Sequence, residues 1–531
     1  MHHQNINKKI FCSHYIQIVI IGLLALLLRI INLTKYDLWF DEVTSLVEVK
    51  LNNFWYLSTN FTFQPLYNLL VQYWQVFGDS LFILRLPSVI FGVASVILIY
   101  FTGESVFNRK AGIISAFLLS LSPFSIHYSQ ELRPFSLLIF LVLLSTYAYF
   151  KLLNKRSFPF WSINIIANLL SVYLVCTSAP ILLVQALFMI FNLRKNRLRE
   201  VLLFQSVQFF FLLPWIYITI KHFLLMLDIT RVYCQFSPFI SSISAANLFY
   251  SFKNFISGYY ASDIVRNISS VFFALLILKG TKDSFAHYKK KWYMLLSFLL
   301  IPVLTLFIFS KFRPFYAERY FSFAIIFLFL MAGFTLSNLG RKMIMLCLGV
   351  YCFISIPSLN NYYSNRITCN FIERQGTNPK KELKKAAYFL KANYKNGDLV
   401  LHTSEVSTLP LEYYLNERGS NYFLKEDAML TYKFIMDSQV KNRVNRFLII
   451  HEPNQHRFYF YKDIGVFTAQ PDDPLFNNHE RIWLILSHWE DPAQFKFINN
   501  WFADKHILEK SAKFSGIDVY LYANNRVLNH S

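Results

Sequence analysis

Two adjacent carboxylates are the first candidates for chemistry in this chain. Asp41 and Glu42 lie in the stretch YDLWFDEVTSL (36–46), between Trp39 and Val43. Their apolar neighbours predict partial burial, which suits a carboxylate that accepts a proton from a substrate. The alternative is a solvated pair that caps a helix starting at Val43, a common use of adjacent acids. The pair therefore predicts either a general base or a helix cap.

Two further clusters combine acids with arginines. The stretch HYSQELRPF carries Glu131 and Arg133, and KFRPFYAERY carries Arg313 and Arg319. A guanidinium group offers a bidentate fork to phosphate oxygens, so these clusters are candidates for an anion-binding site. The first could instead be a surface ion pair in a helical hairpin. The second could be an interfacial anchor whose basic side chains extend to lipid phosphates.

The elements that must position these residues are membrane helices. Of the 531 residues, 55% are hydrophobic and 16% are charged, against about 25% charged in an average soluble domain. Apolar runs of roughly 18 residues cross ~30 Å of hydrocarbon. We therefore predict a polytopic α-helical membrane protein of about 11 transmembrane helices. The runs are 14–33, 81–102, 111–127, 135–152, 160–176, 179–193, 200–221, 264–279, 292–310, 317–338 and 342–358.

The charge distribution predicts the topology of these spans. Most of the net charge of +21 lies before residue 360, in loops that alternate along the predicted spans. By the positive-inside rule those loops and the N-terminus are cytoplasmic, in the cytoplasmic (inner) membrane. The three charged clusters and the tail then lie outside the cytoplasm. No basic, aromatic-interleaved face for nucleic acid is evident, and the six cysteines form no metal-ligand spacing.

The chain divides into two predicted domains. Residues 1–359 form the membrane domain, with a loop (34–80) that contains an interfacial helix at 65–74. Residues 360–531 alternate strand and helix patterns, which predicts an extracytoplasmic α/β domain with a largely parallel sheet. Its predicted elements are helices at 383–393, 409–417 and 491–505, and strands at 398–404, 445–452, 481–488 and 515–523.

Taken in order, these motifs resemble a known family. The resemblance lies in four motifs: W-x-D-E after the first span, PLYNLLVQYWQVFGDSLFILRLPSVIFG, RKAGIISAFLLSLSPFSIHYSQELRPFSLL and AERYFSFAIIFLFLMAG. They are similar to the bacterial branch of the protein O-mannosyltransferase superfamily (glycosyltransferase family 39-like), of which the lipid A aminoarabinose transferases are relatives. These are C-type (GT-C) glycosyltransferases that take sugar from a polyprenyl-phosphate carrier.

The resemblance implies roles for particular residues. The acid of the first outer loop matches Asp41 as catalytic base, with Glu42 beside it, and the acid of the next outer turn matches Glu131. Cationic groups around the donor phosphate are assigned to Arg133, Arg313 and Arg319. Contacts to acceptor or carrier are assigned to Trp39, Gln64 and Tyr128. One departure bears on the acceptor: protein mannosyltransferases have an HPP-type motif where this chain has Gln64-Pro65-Leu66.

The resemblance implies a reaction at the membrane face. A sugar would move from a polyprenyl phosphate to an acceptor hydroxyl on a cell-envelope glycan, a lipid such as lipopolysaccharide, or a protein, with inversion at the anomeric carbon. No cofactor is required. A divalent metal is compatible with three converging carboxylates, but no ligand spacing demands it.

Two other functions are weighed against this one. A transporter or flippase for lipid-linked sugars predicts charged residues lining a path through the spans, whereas the informative charges here cluster between spans. An adhesion or scaffold protein would leave the paired acids and arginine clusters unexplained.

The sequence also predicts that Arg29, near the end of the first span, extends outward to the membrane surface.

The predicted topology can be tested with two reporter fusions. A reporter placed after Arg156 should lie in the cytoplasm, and one placed after Asn360 should lie outside it, because charge assigns the two positions to opposite sides. Paired enzymatic reporters that are active on one side only would measure this. The same side for both positions would mean that the predicted span count is wrong.

Overall fold

The helices dominate the described part of the chain. The computed structural model describes residues 2–50, 65–192, 198–233, 244–312, 316–368, 379–395, 398–402, 405–415, 446–452, 455–461, 480–487 and 506–523. The described helices are α1 His2–Ile30, α2 Phe40–Lys50, α3 Pro65–Trp74, α4 Leu81–Val106, α5 Arg109–Ser120, α6 Pro123–Ser129, α7 Phe135–Asn154, α8 Phe158–Leu174, α9 Ala179–Asn192, α10 Leu198–Tyr233, α11 Ala245–Ser257, α12 Asp263–Ser284, α13 Lys289–Phe312, α14 Ala324–Ser337, α15 Arg341–Tyr363, α16 Leu383–Asn393 and α17 Glu405–Leu415.

Every predicted apolar run coincides with a helix or a broken pair of helices. Within the described residues, six helices are long and apolar enough to cross a membrane, and the bent pair α5–α6 makes up to seven. Four further apolar helices, at Tyr15–Ile30, Phe158–Leu174, Cys176–Phe191 and Ala324–Ser337, are shorter than that criterion. The polytopic helical class is therefore confirmed, and the count of eleven spans stays a prediction. Helix α3 forms at the residues predicted for an interfacial helix.

The described residues fall into two compact units. One contains the described parts of Met1–Leu33, Phe54–Ile220 and Ser242–Thr377 and is helical. The other contains those of Thr34–Asn53, Lys221–Ser241 and Asn378–Ser531, and it holds a six-stranded sheet. The second unit thus includes the stretch that carries the paired acids.

The third predicted span is broken into α5 and α6. The two helices meet at an angle of 62°. Pro123 starts α6, where a missing N–H costs nothing but the preceding helix cannot continue through it. The side chain of Ser122 caps the new helix by accepting from the Ser125 N–H at 3.2 Å. The break turns the end of α6 and the residues after it, 130–134, toward α7.

The sheet of the second unit is mixed, so the prediction of a largely parallel sheet is wrong. The strands are β1 Leu399–His402, β2 Arg446–Glu452, β3 Gln455–Tyr461, β4 Arg481–Ser487, β5 Ile507–Phe514 and β6 Ile517–Ala523. Their order is β3-β2-β1-β4-β6-β5, and of the described pairs only β1 with β4 is parallel. The two-residue connections before β3 and β6 force antiparallel hairpins, because a parallel pair needs a long crossover.

Strands β3 and β5 were not predicted, since their sequences are more polar than the buried strands. Strand β5 (ILEKSAKF) is mostly exposed at the sheet edge, whereas β4 and β6 are buried along almost their whole length. Helix α16 forms at the predicted residues, and α17 begins four residues earlier than predicted. The helix predicted at 491–505 lies outside the described residues.

Helix α16 packs on the centre of the sheet. Its apolar face presents Leu383, Ala386, Ala387 and Leu390 at helical spacing, all buried. These side chains join one cluster with residues of β1, β4 and β6, namely Val400, Trp483, Ile485, Val519 and Leu521. The unit therefore has a hydrophobic core of its own.

Close backbone approach holds α4 against α5 in the helical unit. A Cβ atom at Gly103 would lie 2.7 Å from the Cα of Gly112, and one at Gly112 would overlap the carbonyl oxygen of Tyr100. Such contacts allow the van der Waals packing that drives helix association in a bilayer. A glycine on α15, Gly349, has no atom within 4 Å of the corresponding position.

This contrast gives a matched pair of substitutions. Gly112→Ala should lower the melting temperature of the detergent-purified protein, because the added methyl group separates α4 from α5 at a cost of about 1–3 kcal/mol. Gly349→Ala should not lower it, since the methyl group enters open space and alanine favours the helix more than glycine does. Equal melting temperatures for the two variants would contradict the packing described here.

Candidate active site

Glu42 is part of the start of helix α2. The carbonyl of Trp39 accepts the first helical hydrogen bonds, from the N–H groups of Glu42 and Val43, each at 3.0 Å. The carboxylate of Glu42 accepts in return from the Trp39 N–H at 3.3 Å and is fully buried. This is half of a capping box, so Glu42 stabilises the helix start. The helix begins at Phe40, three residues before the predicted start.

Asp41 differs from its neighbour in exposure. It is half-buried, as is Trp39, whereas Glu42 has no exposed surface. The backbone carbonyl of Asp41 accepts from the Ser45 hydroxyl at 3.1 Å, which fixes the first turn. Of the two acids, Asp41 is the more exposed.

The stretch before α2 is attached to the C-terminal helices of its own unit. The carboxylate of Asp37 accepts from the Lys384 N–H at 2.9 Å, at the start of α16. The Leu38 N–H donates to the hydroxyl of Tyr414, on α17, at 2.8 Å. These bonds position the turn that leads into Asp41. The α/β domain therefore holds the acidic stretch in place.

In the helical unit, Glu131 lies in a buried chain of polar groups. Its carboxylate is 3.4 Å from Nε2 of His127, and Nδ1 of His127 is 3.3 Å from the Tyr260 hydroxyl. Glu131 and His127 are each 3% exposed. The ordinary alternative, a surface ion pair, is therefore wrong, because the break between α5 and α6 turns this segment into the bundle.

Arg133 and Arg319 lie over two aromatic rings that contact each other. The Arg133 guanidinium lies over the Phe135 ring at 5.7 Å, and that of Arg319 over the Tyr320 ring at 5.2 Å. The two rings contact each other edge to face, with centroids 6.4 Å apart. Both arginines are half-buried. The two cations therefore lie on rings that contact each other.

Tyr128 lies beside this pair. It is buried, its hydroxyl is 2.9 Å from that of Tyr259, and its ring packs edge to face on Phe135 at 5.2 Å. Tyr128, Glu131, Arg133 and Arg319 therefore belong to one region of the helical unit. Two other predicted site residues, Gln64 and Arg313, lie outside the described residues.

Sequence reasoning did not assign a role to Glu318. This carboxyl directly precedes Arg319 on a short 3-10 segment, Glu318–Phe321, which separates α13 from α14. The sequence predicted one apolar span over 317–338, but α14 begins only at Ala324. Glu318 is 1% exposed and is bonded to α11. The sequence shows an acid in the ERY motif, but it does not show that this acid is buried, because its burial depends on α11, which is distant in sequence.

Arg29 is buried, so the prediction that it extends to the membrane surface is wrong. It has no exposed surface, and all five of its N–H donors have acceptors. They bond the hydroxyls of Ser125 (3.0 Å) and Ser129 (3.2 Å) on α6, the carbonyls of Leu119 (3.4 Å) and Ser120 (3.3 Å) on α5, and the carbonyl of Ala25 (3.2 Å) on α1. The last carbonyls of a helix have no partner within it. Arg29 satisfies two of them and fixes the bend that positions Glu131.

Among the residues that the structure describes, no group of three or more His, Cys, Asp or Glu side chains is arranged to hold a metal ion. The absence of a cofactor requirement stays a prediction.

One family model matches the chain. Residues 65–218 match the family described as dolichyl-phosphate-mannose-protein mannosyltransferase. This segment includes α3 to α9 and most of α10, with Glu131 and Arg133. No curated protein matches the chain.

Solved structures resemble the chain over nearly its whole length. ArnT from Cupriavidus metallidurans in the apo state aligns with a TM-score of 0.55 at 12% identity, over 95% of this chain and 97% of that chain. The same protein bound to undecaprenyl phosphate gives a TM-score of 0.55 at 10% identity and the same coverage. The archaeal oligosaccharyltransferase AglB from Archaeoglobus fulgidus, in complex with an inhibitory peptide and a dolichol-phosphate, gives 0.52 at 14% identity, over 97% of this chain and 74% of that chain.

At these identities the structural likeness shows the fold, which is that of GT-C glycosyltransferases. Together with the family match it confirms the resemblance predicted from the sequence. The chain is homologous to membrane glycosyltransferases, and it is a multi-pass membrane protein.

The role of Arg29 can be tested by a conservative substitution. Arg29→Lys should lower the melting temperature markedly, because an ammonium group has three donors and leaves buried acceptors unpaired at a cost of about 1–3 kcal/mol each. The matched control is Arg109→Lys, whose partner Glu104 lies 2.8 Å away at the surface. That solvent-exposed pair should contribute little to stability. Similar melting temperatures for the two variants would contradict the role assigned to Arg29.

Proposed function

We propose that this protein transfers a sugar from a polyprenyl-phosphate carrier to an acceptor hydroxyl at the outer face of the cytoplasmic membrane. The observation that carries the proposal is the pair of half-buried arginines, Arg133 and Arg319, held on contacting rings beside the buried acid Glu131. Support also comes from structures of the same fold, which were solved with undecaprenyl phosphate and with a dolichol-phosphate. The N-terminus is cytoplasmic and the α/β domain extracytoplasmic in this proposal.

The proposed chemistry is a single displacement. The acceptor oxygen attacks the anomeric carbon while the bond from that carbon to the phosphate oxygen breaks, so the configuration inverts. The electron pair goes to the lipid phosphate, whose charge the arginines stabilise. The acceptor proton goes to Asp41 as general base. Proton transfer to a positioned carboxylate typically contributes about 10²–10⁴-fold to the rate.

The other predicted residues have supporting roles. Glu42 stabilises the start of α2 and so orients Asp41, and Glu131 orients the acceptor. Trp39 and Tyr128 contact the acceptor or the carrier, as does Gln64, and Arg313 joins the other arginines at the donor phosphate. The acceptor is a glycan, a lipid or a protein of the cell envelope. No cofactor is needed in this scheme.

The proposal predicts a specific loss on changing Asp41. Asp41→Asn should lower the transfer rate by about 10²-fold or more, because the amide cannot accept the proton, while insertion and melting temperature stay as in the wild type. Transfer would be followed by mass spectrometry, with polyprenyl-phosphate sugars extracted from the producing strain as donors. Envelope glycolipids and glycoproteins that lose a sugar in a deletion strain would supply the acceptor.

The matched control is Asp79→Asn, an exposed acid in the same loop, 3.1 Å from the Gln75 amide. It should transfer at the wild-type rate. Wild-type transfer by folded Asp41→Asn would remove Asp41 from the mechanism.

A further inference from the structure

His127 is a buried histidine to which the proposed reaction assigns no role. It lies in the last turn of α6, four residues before Glu131, and is 3% exposed. Both of its ring nitrogens face a polar group, and the two groups come from different segments of the helical unit. Which ring nitrogen carries a proton depends on the bond that the other nitrogen makes. The two contacts therefore have to be considered together.

The Nε2 atom of His127 faces the acid. It is 3.4 Å from Oε1 of Glu131, whose side chain is buried as well. An ionised carboxylate accepts hydrogen bonds and has none to donate, so the proton of this contact belongs to Nε2. Because α6 ends at Ser129, Glu131 lies beyond the helix, and the contact attaches its carboxylate to the last helical turn.

The Nδ1 atom of His127 faces a tyrosine. It is 3.3 Å from the hydroxyl of Tyr260, which is 1% exposed. A tyrosine hydroxyl that donates to Nδ1 leaves the ring proton on Nε2, the nitrogen that faces Glu131. The three side chains thus form a chain of contacts, in which the hydroxyl sets the tautomer of the imidazole and the imidazole holds the carboxylate.

The segment that carries Tyr260 is itself fixed. It connects α11 to α12, and the Tyr260 carbonyl accepts from the Asn361 amide, on α15, at 2.9 Å. The segment begins at Gly258, whose φ of +69° favours glycine. A Cβ atom at Gly258 would lie 2.9 Å from the Cβ of Pro123, the first residue of α6. The tyrosine is therefore held against the same helix that carries His127.

Four tyrosine rings enclose the imidazole. Their centroids lie 4.8 to 5.9 Å from that of His127, and all four tyrosines are buried. They are Tyr128, Tyr259, Tyr260 and Tyr362. This packing allows a simpler interpretation, in which His127 only fills space in the core. Under that interpretation every replacement that removes the ring would cause the same defect.

We propose that His127 and Tyr260 are positioning residues for Glu131, through the chain of contacts that runs from the Tyr260 hydroxyl to the Glu131 carboxylate. The inference rests on the proposed role of Glu131 in orienting the acceptor. Neither His127 nor Tyr260 touches a substrate in this account. Because the donor phosphate binds at the arginines instead, loss of the chain should weaken use of the acceptor and leave donor binding as it is.

Two replacements of His127 separate positioning from packing. In His127→Gln the amide nitrogen reaches the place of Nε2 and can donate to Glu131, whereas in His127→Asn the amide ends near the place of Nδ1. Both variants lack the aromatic ring, so their melting temperatures should be similar. His127→Asn should raise the apparent KM for the acceptor about tenfold or more, the factor expected on losing a hydrogen bond to a charged group. His127→Gln should stay within about threefold of the wild type, and the apparent KM for the donor should be unchanged in both.

Transfer is measured with the full-length protein in nanodiscs. The donors are polyprenyl-phosphate sugars extracted from the producing strain, and the acceptors are envelope glycolipids and glycoproteins extracted from a deletion strain. Tyr260→Phe should raise the apparent KM for the acceptor severalfold, because the imidazole loses its partner at Nδ1. The matched control is Tyr351→Phe, which removes another buried hydroxyl of the same unit, one that donates to the Leu118 carbonyl at 2.9 Å. The control should transfer as the wild type does.

A spectroscopic measurement tests the chain of contacts without relying on activity. Solid-state NMR of protein that carries isotope-labelled histidine should show a protonated Nε2 at His127. The signal of His127 is assigned by its absence from the spectrum of His127→Gln.

Equal defects in His127→Gln and His127→Asn, or an Nε2 without a proton, would overturn the positioning role. A change in the apparent KM for the donor alone would do the same. A wild-type protein that transfers no sugar would overturn the proposed function and this inference with it. That result is distinguishable, because the histidine variants are compared with an active wild type.

Discussion

A charged side chain persists inside an apolar helical bundle only when its donors and acceptors are satisfied there. Arg29 meets that condition with neutral groups alone, since its five donors bond three backbone carbonyls and two serine hydroxyls. The cost of removing the guanidinium from water is offset by these five bonds, four of which are to groups on α5 and α6 at the break. The broken helix and the buried arginine therefore depend on each other.

The break also determines which charged groups are buried in this part of the bundle. A continuous helix would carry the HYSQELRPF stretch onward along its axis. The 62° bend instead turns it into the protein, where Glu131 meets His127 and Arg133 lies on Phe135. A buried acid with a histidine neighbour and a half-buried cation on an aromatic ring are groups whose electrostatic effects are strong, because little water screens them. The second arginine reaches the same region from a segment almost 190 residues later, through the contact between Phe135 and Tyr320.

The second unit contains Asp41. Its α/β domain has an independent core, formed by α16 on the sheet, and it bonds the stretch before α2 through Asp37 and Tyr414. The turn into Asp41 is therefore held by residues some 350 positions away in sequence. The C-terminal domain therefore holds the stretch before α2 in place, whether or not it also binds acceptors.

The sequence by itself determined the elements that depend on residues close together in the chain. Apolar length located the helices, Pro123 and the serine before it explain the break, and the motifs around Asp41, Glu131 and Arg319 were sufficient to indicate the family. Tertiary structure decided what depends on distant partners. Arg29, which was predicted to extend to the membrane surface, is buried because α5 and α6 supply its hydrogen bonds. The sheet is mixed in part because strands distant in sequence, β1 with β2 and β4 with β6, pair antiparallel. Burial and pairing are properties of contacts between segments, and a single segment does not encode its neighbours.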